Sequence, residues 1–150
     1  MDYQTVLTAI STFMSETKQG QRLQKIVDFL YETFDAYTWV GIYLVSGNDL
    51  LLGPWKGNHA TEHTKIPIGT GICGSAAQTG KTEVIDDVSQ DQRYLACFVS
   101  TRSEIVVPIK KKGKIIGEID IDSDEPAAFS QEDVRFLEKV ADMLGSHIAV

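Results

Sequence analysis

Cys73 and Cys97 are the only two thiols in a chain of 150 residues. Cys73 stands in a glycine-rich run, Gly69-Thr70-Gly71-Ile72-Cys73-Gly74, that leads into a short helical stretch. A thiol at a helix start has its pKa lowered by the N-terminal dipole. Cys97 falls in an aperiodic stretch, 86–100, long enough to be a functional loop. Two thiols on neighbouring loops can cycle between dithiol and disulfide, and two buried, inert cysteines are the plainer alternative. They are too few for a disulfide scaffold and form no CxxC pair, so both are expected reduced, in the cytoplasm.

Three carboxylates, Glu104, Asp120 and Asp122, stand on or directly after two otherwise apolar, alternating segments, 104–109 and 114–121. Lys112-Gly113 between them reads as a hairpin turn. A turn centred on Lys112 sets Glu104 opposite Asp120 and Arg102 opposite Asp122. Alternation then puts Ile105, Val107 and Ile109 with Ile115, Gly117, Ile119 and Ile121 on the core face, and the three acids on the other. Carboxylates clustered in this way repel, raise the pKa of at least one member and make a receptor for an ammonium group. A solvated acidic face has the same pattern, so charge clustering does not decide between them.

Two further motif matches fail on length or context. The glycine run satisfies GxGxxG, with Asp86 downstream where a ribose-binding acid would sit. The intervening chain is too short for the crossover helix of a dinucleotide-binding unit, which leaves a tight turn whose N–H groups could form an anion nest. His59-Ala60-Thr61-Glu62-His63 matches HxxEH, a zinc signature that requires a helix. Gly57-Asn58 before it and β-patterned residues after it predict a loop, so no metal is expected.

The elements that must position these residues follow from periodicity. Helical spacing at Val6, Ile10, Phe13 and Met14, and again at Leu23, Ile26, Val27, Leu30 and Phe34, predicts two amphipathic helices separated at Gly20. Strand patterns follow over 38–45, 50–55, 64–68 and 82–85, before the hairpin. A last helix starts at Ser130, with Asp133 completing a capping box and Phe129 and Val134 placed as a hydrophobic staple. The class is α+β: a central, mostly antiparallel sheet of about five or six strands, with N- and C-terminal helices packed on one face. No linker or repeat divides residues 1–150, so one domain is expected. The formal charge of -7 argues against nucleic acid and anionic membrane as partners. No apolar run reaches the length of a membrane span, and no signal-peptide pattern opens the chain.

Six stretches occur in the order found in one family. They are Trp39-Val40-Gly41-Ile42-Tyr43, Gly53-Pro54-Trp55-Lys56-Gly57, the glycine run around Cys73, Ala96-Cys97, Ser103-Glu104-Ile105-Val106-Val107-Pro108-Ile109 and Asp120-Ile121-Asp122. Together they resemble the GAF-type free methionine-(R)-sulfoxide reductases. The resemblance implies a GAF-like fold, Cys97 as nucleophile and Cys73 as the cysteine that resolves the oxidised intermediate. Glu104, Asp120 and Asp122 match the carboxylates that bind substrate and supply a proton. Trp39 and Tyr43 match pocket aromatics near the substrate's methyl-sulfur end. Where many members carry a further cysteine this chain has His63, and Phe98 stands where an acid often follows the nucleophile. The chain therefore resembles a two-cysteine variant.

The activity implied is thiol-dependent reduction of free L-methionine-(R)-sulfoxide through a Cys97 sulfenic acid and a Cys73–Cys97 disulfide. Thioredoxin or a similar dithiol would reduce that disulfide, with no organic cofactor. A homodimer through the terminal helices is implied by the resemblance alone. The rival reading is a non-catalytic GAF module that senses a small ligand in the same pocket, its cysteines incidental.

Overall fold

The computed structural model describes residues 2–95 and 100–148, so Cys97 and its neighbours Ala96 and Phe98 lie outside the described residues. The chain runs α1 (Tyr3–Glu16), α2 (Gln19–Thr33), β1 (Trp39–Ser46), β2 (Asp49–Gly57), β3 (Lys65–Pro67), α3 (Gly71–Thr79), β4 (Glu83–Ile85), β5 (Ser103–Lys111), β6 (Lys114–Ser123) and α4 (Gln131–His147). The strands form one six-stranded sheet in the order β3-β2-β1-β6-β5-β4, antiparallel at every junction. This is the expected α+β arrangement.

Side chains on the two faces of the sheet enter different clusters. Val40, Ile42, Ile105, Val107, Ile109, Ile119 and Ile121 pack with the buried stripes of α1, α2 and α4. Those stripes come from helical spacing: Val6, Ile10 and Met14 in α1, and Ile26, Val27 and Leu30 in α2. Helix α4 adds Phe136, Leu137, Val140, Ala141 and Leu144, and its first turn has the Ser130/Asp133 capping box. Asp133 also accepts hydrogen bonds from Tyr37 Oη at 2.8 Å and Tyr3 Oη at 3.1 Å, tying α1 and the start of β1 to α4. The opposite face carries Trp39, Tyr43 and Val106 against α3.

Helix α3 joins one edge strand, β3, to the other, β4, and so crosses the second face. It begins at Gly71, inside the run expected to be a turn, and ends at Gly80, whose φ of 72° is left-handed. A side chain at Gly74 would stand 2.6 Å from the Pro67 carbonyl oxygen, so glycine lets the helix lie close to β3. The Gly69, Thr70 and Gly74 N–H groups donate to the Gly74, Pro67 and Thr70 carbonyls. These three N–H groups are satisfied within the turn. Strand β4 pairs antiparallel with β5, which excludes the parallel βαβ unit of a dinucleotide site. The HxxEH residues lie in irregular chain between β2 and β3, not on a helix. No helix of the described residues is long and apolar enough to cross a membrane.

The β5–β6 register differs from the expectation. Lys112 and Gly113, with φ of 53° and 79°, form a two-residue turn that pairs Lys111 with Lys114. A register irregularity between Ile109 and Lys110 then shifts the ladder, so that Glu104 faces Asp122 and Val106 faces Asp120. Partners move by two positions, an even number, and the faces assigned from alternation survive. Nearer the turn they do not: Ile116, rather than Ile115, enters the main core.

Candidate active site

The α3-facing side of the sheet is a grid built by pairing. Across β1, β6 and β5 its rows read Trp39–Asp122–Glu104, Gly41–Asp120–Val106 and Tyr43–Glu118–Pro108. Four carboxyls thus stand on one surface, and α3 covers it. All four are buried: Glu104 is 6%, Glu118 0%, Asp120 5% and Asp122 3% exposed. The solvated acidic face that the pattern left open is thereby excluded. Glu118 was missed by the sequence reading, although its even position gives it the same face as Asp120 and Asp122.

Burial raises the pKa of every member. Glu104 is pushed well above the usual carboxyl range by burial and then by the Asp120 and Asp122 charges. Asp122 and Glu118 are raised by burial and by Asp120, and Asp120 by burial. The ion pairs among the described residues, Lys65–Asp49, Arg93–Glu83 and Arg93–Asp91, all lie elsewhere. Both Glu118 oxygens, Asp120 Oδ1 and Asp122 Oδ1 are buried without a hydrogen-bond partner. A buried polar atom left in this way is destabilising until something fills its valence.

Cys73 projects from the first turn of α3 onto this floor. Its thiol donates to Asp120 Oδ2 at 3.3 Å. Burial, followed by the charges of Asp120, Glu118 and Glu104, pushes the thiol well above its ordinary pKa. This corrects the expectation from the helix dipole, a surface-scale effect of about 0.3–1 kcal/mol that burial among these carboxyls outweighs. Cys97, the second cysteine of the sequence reading, lies outside the described residues.

The aromatic side of the site is fitted by glycine. Trp39 and Tyr43 share the α3-facing side of β1 and are buried. The Trp39 indole lies where side chains at Gly41 and Gly57 would otherwise project, and it stacks on Trp55 with ring centroids 6.3 Å apart. Tyr43 Oη donates to the His63 carbonyl oxygen at 2.7 Å, anchoring the irregular segment before β3. Tyr43, His63, Ile66, Ile72, Cys73, Leu95, Glu104 and Asp120 line a cavity of about 20 Å³, room for about one water. The structure therefore brings together Cys73, Glu104, Asp120, Asp122, Trp39 and Tyr43, and adds Glu118 and His63.

Known proteins resemble this chain in sequence and in fold. The family model described as GAF domain matches residues 20–148. The free methionine-R-sulfoxide reductase of Escherichia coli is 32% identical over 148 residues, covering 99% of this chain and 85% of that protein. Among solved structures, free methionine-R-sulfoxide reductase from Neisseria meningitidis, in complex with its substrate, matches with a TM-score of 0.90. The identity is 36%, with 97% of this chain and 87% of that chain covered. The reduced form of fRMsr from Staphylococcus aureus matches with a TM-score of 0.91 at 34% identity, covering 99% of this chain and 96% of that one. The match spans α2, all six strands, α3 and α4, and on that ground the chain belongs to the GAF-domain family.

Proposed function

We propose that this protein reduces free L-methionine-(R)-sulfoxide to methionine. The observation that carries the reading is the buried floor of Glu104, Asp120 and Asp122 beneath Cys73, in which Asp120 Oδ1 and Asp122 Oδ1 lack hydrogen-bond partners. Such a surface binds a free α-ammonium group, which a peptide-bound methionine lacks. Likeness to the Escherichia coli, Neisseria and Staphylococcus reductases supports the same assignment.

Reduction needs a thiolate to attack sulfur and an acid to protonate the departing oxygen. Cys97 attacks the sulfoxide sulfur. A protonated carboxyl, Glu104 or one of its neighbours, gives its proton to the oxygen while the others hold the ammonium. Trp39 and Tyr43 pack on the methyl-sulfur end. The oxygen passes to Cys97 as a sulfenic acid and methionine leaves. Cys73 attacks that sulfenic sulfur, hydroxide departs as water with the Cys73 proton, and a Cys73–Cys97 disulfide forms. Thioredoxin or a similar cytoplasmic dithiol reduces it by exchange. One sulfoxide and two thiols thus become one methionine, one disulfide and one water, with no cofactor required.

The test follows NADPH consumption with thioredoxin, thioredoxin reductase and each methionine sulfoxide epimer. Turnover of the free R epimer, and little of its N-acetylated form, is expected. Equal rates on free and N-acetylated substrate would overturn the reading. Ligand binding with no methionine released would favour the small-ligand sensor instead.

A further inference from the structure

Outside the carboxyl floor, Arg93 joins two carboxylates that take no part in the chemistry above. Its Nε and Nη2 donate to Asp91 Oδ1 and Oδ2 at 3.0 and 2.8 Å. Its Nη1 and Nη2 donate to Glu83 Oε1 and Oε2 at 3.0 and 3.2 Å. One guanidinium thus grips two carboxylates, each through both oxygens, the geometry in which arginine is most specific. The Arg93 side chain is 39% exposed, and ion pairs this exposed contribute little to stability. What such a bridge fixes is position.

Glu83 is the first residue of β4, which is paired to β5. The Arg93 N–H also donates to Asp91 Oδ1 at 2.9 Å, and the Tyr94 N–H to the Asp91 carbonyl oxygen at 3.2 Å. The chain from Asp91 to Leu95 is therefore fastened to the sheet. Its other contact is with the start of α3. A side chain at Gly71 would stand 2.9 Å from Leu95 Cγ and Cδ1 and 3.5 Å from the Arg93 carbonyl oxygen. Gly71 has a left-handed φ of 69°, so a residue without Cβ suits both the turn and this close approach. Cys73 lies two residues beyond Gly71, and Cys97 two residues beyond Leu95. Two residues of chain span at most about 7 Å, and a disulfide joins Cα atoms about 4.4–6.8 Å apart. We propose that Arg93 is a positioning residue for the thiol pair: its bridge from Asp91 to Glu83 keeps Leu95 seated on Gly71 and so holds Cys97 within reach of Cys73.

The bridge acts through effective concentration. Two thiols held near one another form a disulfide more readily than two that must first find each other. Lysine cannot replace arginine here, because a point charge does not grip two carboxylates in a fork. A small disulfide such as oxidised glutathione reports the effect without any sulfoxide. Both cysteine S–H bonds break, one protein S–S bond forms, and the glutathione disulfide takes up the two electrons and two protons to become two thiols. The inference takes the pairing of Cys73 with Cys97 from the proposed function, but not its substrate.

The experiment equilibrates the full chain in a series of reduced and oxidised glutathione mixtures, quenches with acid, alkylates the free thiols and reads the Cys73–Cys97 disulfide by mass. In Arg93→Gln the equilibrium constant for the disulfide should fall roughly 5- to 50-fold, and in Arg93→Lys nearly as far. Glu83→Gln should lower it too, and the double variant Arg93→Gln/Glu83→Gln should fall no further than Arg93→Gln alone, because one bridge is broken only once. Urea unfolding of the reduced proteins should give midpoints close to the parent, which separates positioning from a general loss of structure. An unchanged constant in Arg93→Gln, losses that multiply in the double variant, a reduced form destabilised as much as the disulfide, or no disulfide in the parent would each overturn the proposal. A parent that forms the disulfide in an Arg93-dependent way but releases no methionine would remove the function and leave this inference. Methionine release with an unchanged constant in Arg93→Gln would do the reverse.

Discussion

At Cys73 two effects act on one sulfur in opposite directions. Its place in the first turn of α3 favours the thiolate, and its burial over Asp120, Glu118 and Glu104 disfavours it. Burial wins, so Cys73 stays a thiol until a reaction removes its proton, with Asp120 Oδ2 already accepting it at 3.3 Å. This suits a residue that acts second. Cys73→Ser should still form one methionine per chain without added reductant and then fail to be recycled by thioredoxin. Cys97→Ser should form none, and a retained first turnover in that variant would reverse the two roles. The carboxyls are tested in the same way. If Asp120 or Asp122 pairs with the substrate ammonium in a desolvated site, Asp120→Asn or Asp122→Asn should cost about 2–5 kcal/mol of binding. Steady-state kinetics would then show kcat/KM falling roughly 30- to several-thousand-fold. Glu104→Gln should act mainly on kcat if Glu104 gives the proton. Changes within about 0.5 kcal/mol for all three would place them outside the chemistry.

The elements make the site by pairing rather than by any one loop. Strand β6 lies between β1 and β5, so alternate residues of all three strands reach one face. Alternation along 104–109 and 114–121 was enough to assign that face, and Glu104, Asp120 and Asp122 stand on it together. Their partners were not legible, because the irregularity at Ile109/Lys110 leaves no mark in hydrophobic period. Glu118 was legible by parity, but a lone acid among apolar residues gives no hint of burial until α3 is known to cross the face. The reach of α3 was hidden for a related reason: Gly71 and Gly74 read as turn residues, whereas Gly74 is there for close approach to Pro67. The glycines of β1 and β2 have a similar use. A methyl at Gly41 would overlap the Trp39 indole, so Gly41→Ala should push Trp39 out of its stack on Trp55. Overpacking of this kind costs about 1–3 kcal/mol. A lower Tm together with a raised KM, and tryptophan fluorescence shifted from that of the parent, is the expected outcome. An unchanged emission spectrum would show that the indole has not moved.

For the whole molecule, the covered acidic floor sets how stability depends on pH. Glu104, Glu118, Asp120 and Asp122 all have folded-state pKa values raised above the ordinary carboxyl value, which is about 4 in the unfolded chain. Between those limits the folded protein holds more protons than the unfolded one. Stability from these groups is therefore complete below the unfolded value and is lost as pH rises through the folded values. Each extra proton held contributes a slope of about 1.4 kcal/mol per pH unit. Asp2, Asp87 and Asp91 behave oppositely: their pKa values are lowered by hydrogen bonds from Thr5, Ser89 and Arg93, and they lose stability in acid. The ligand-free protein should thus be most stable at mildly acidic pH and lose stability through neutrality, where an ordinary domain is near its plateau. Denaturant unfolding at a series of pH values measures the slope. Glu118→Gln removes one of the raised groups outright, so it should flatten the alkaline limb and raise the unfolding midpoint at pH 8 relative to the parent. A parent curve that is flat from pH 5 to 8, or a Glu118→Gln variant less stable than the parent at pH 8, would mean that Glu118 is ionised and paired in the folded state.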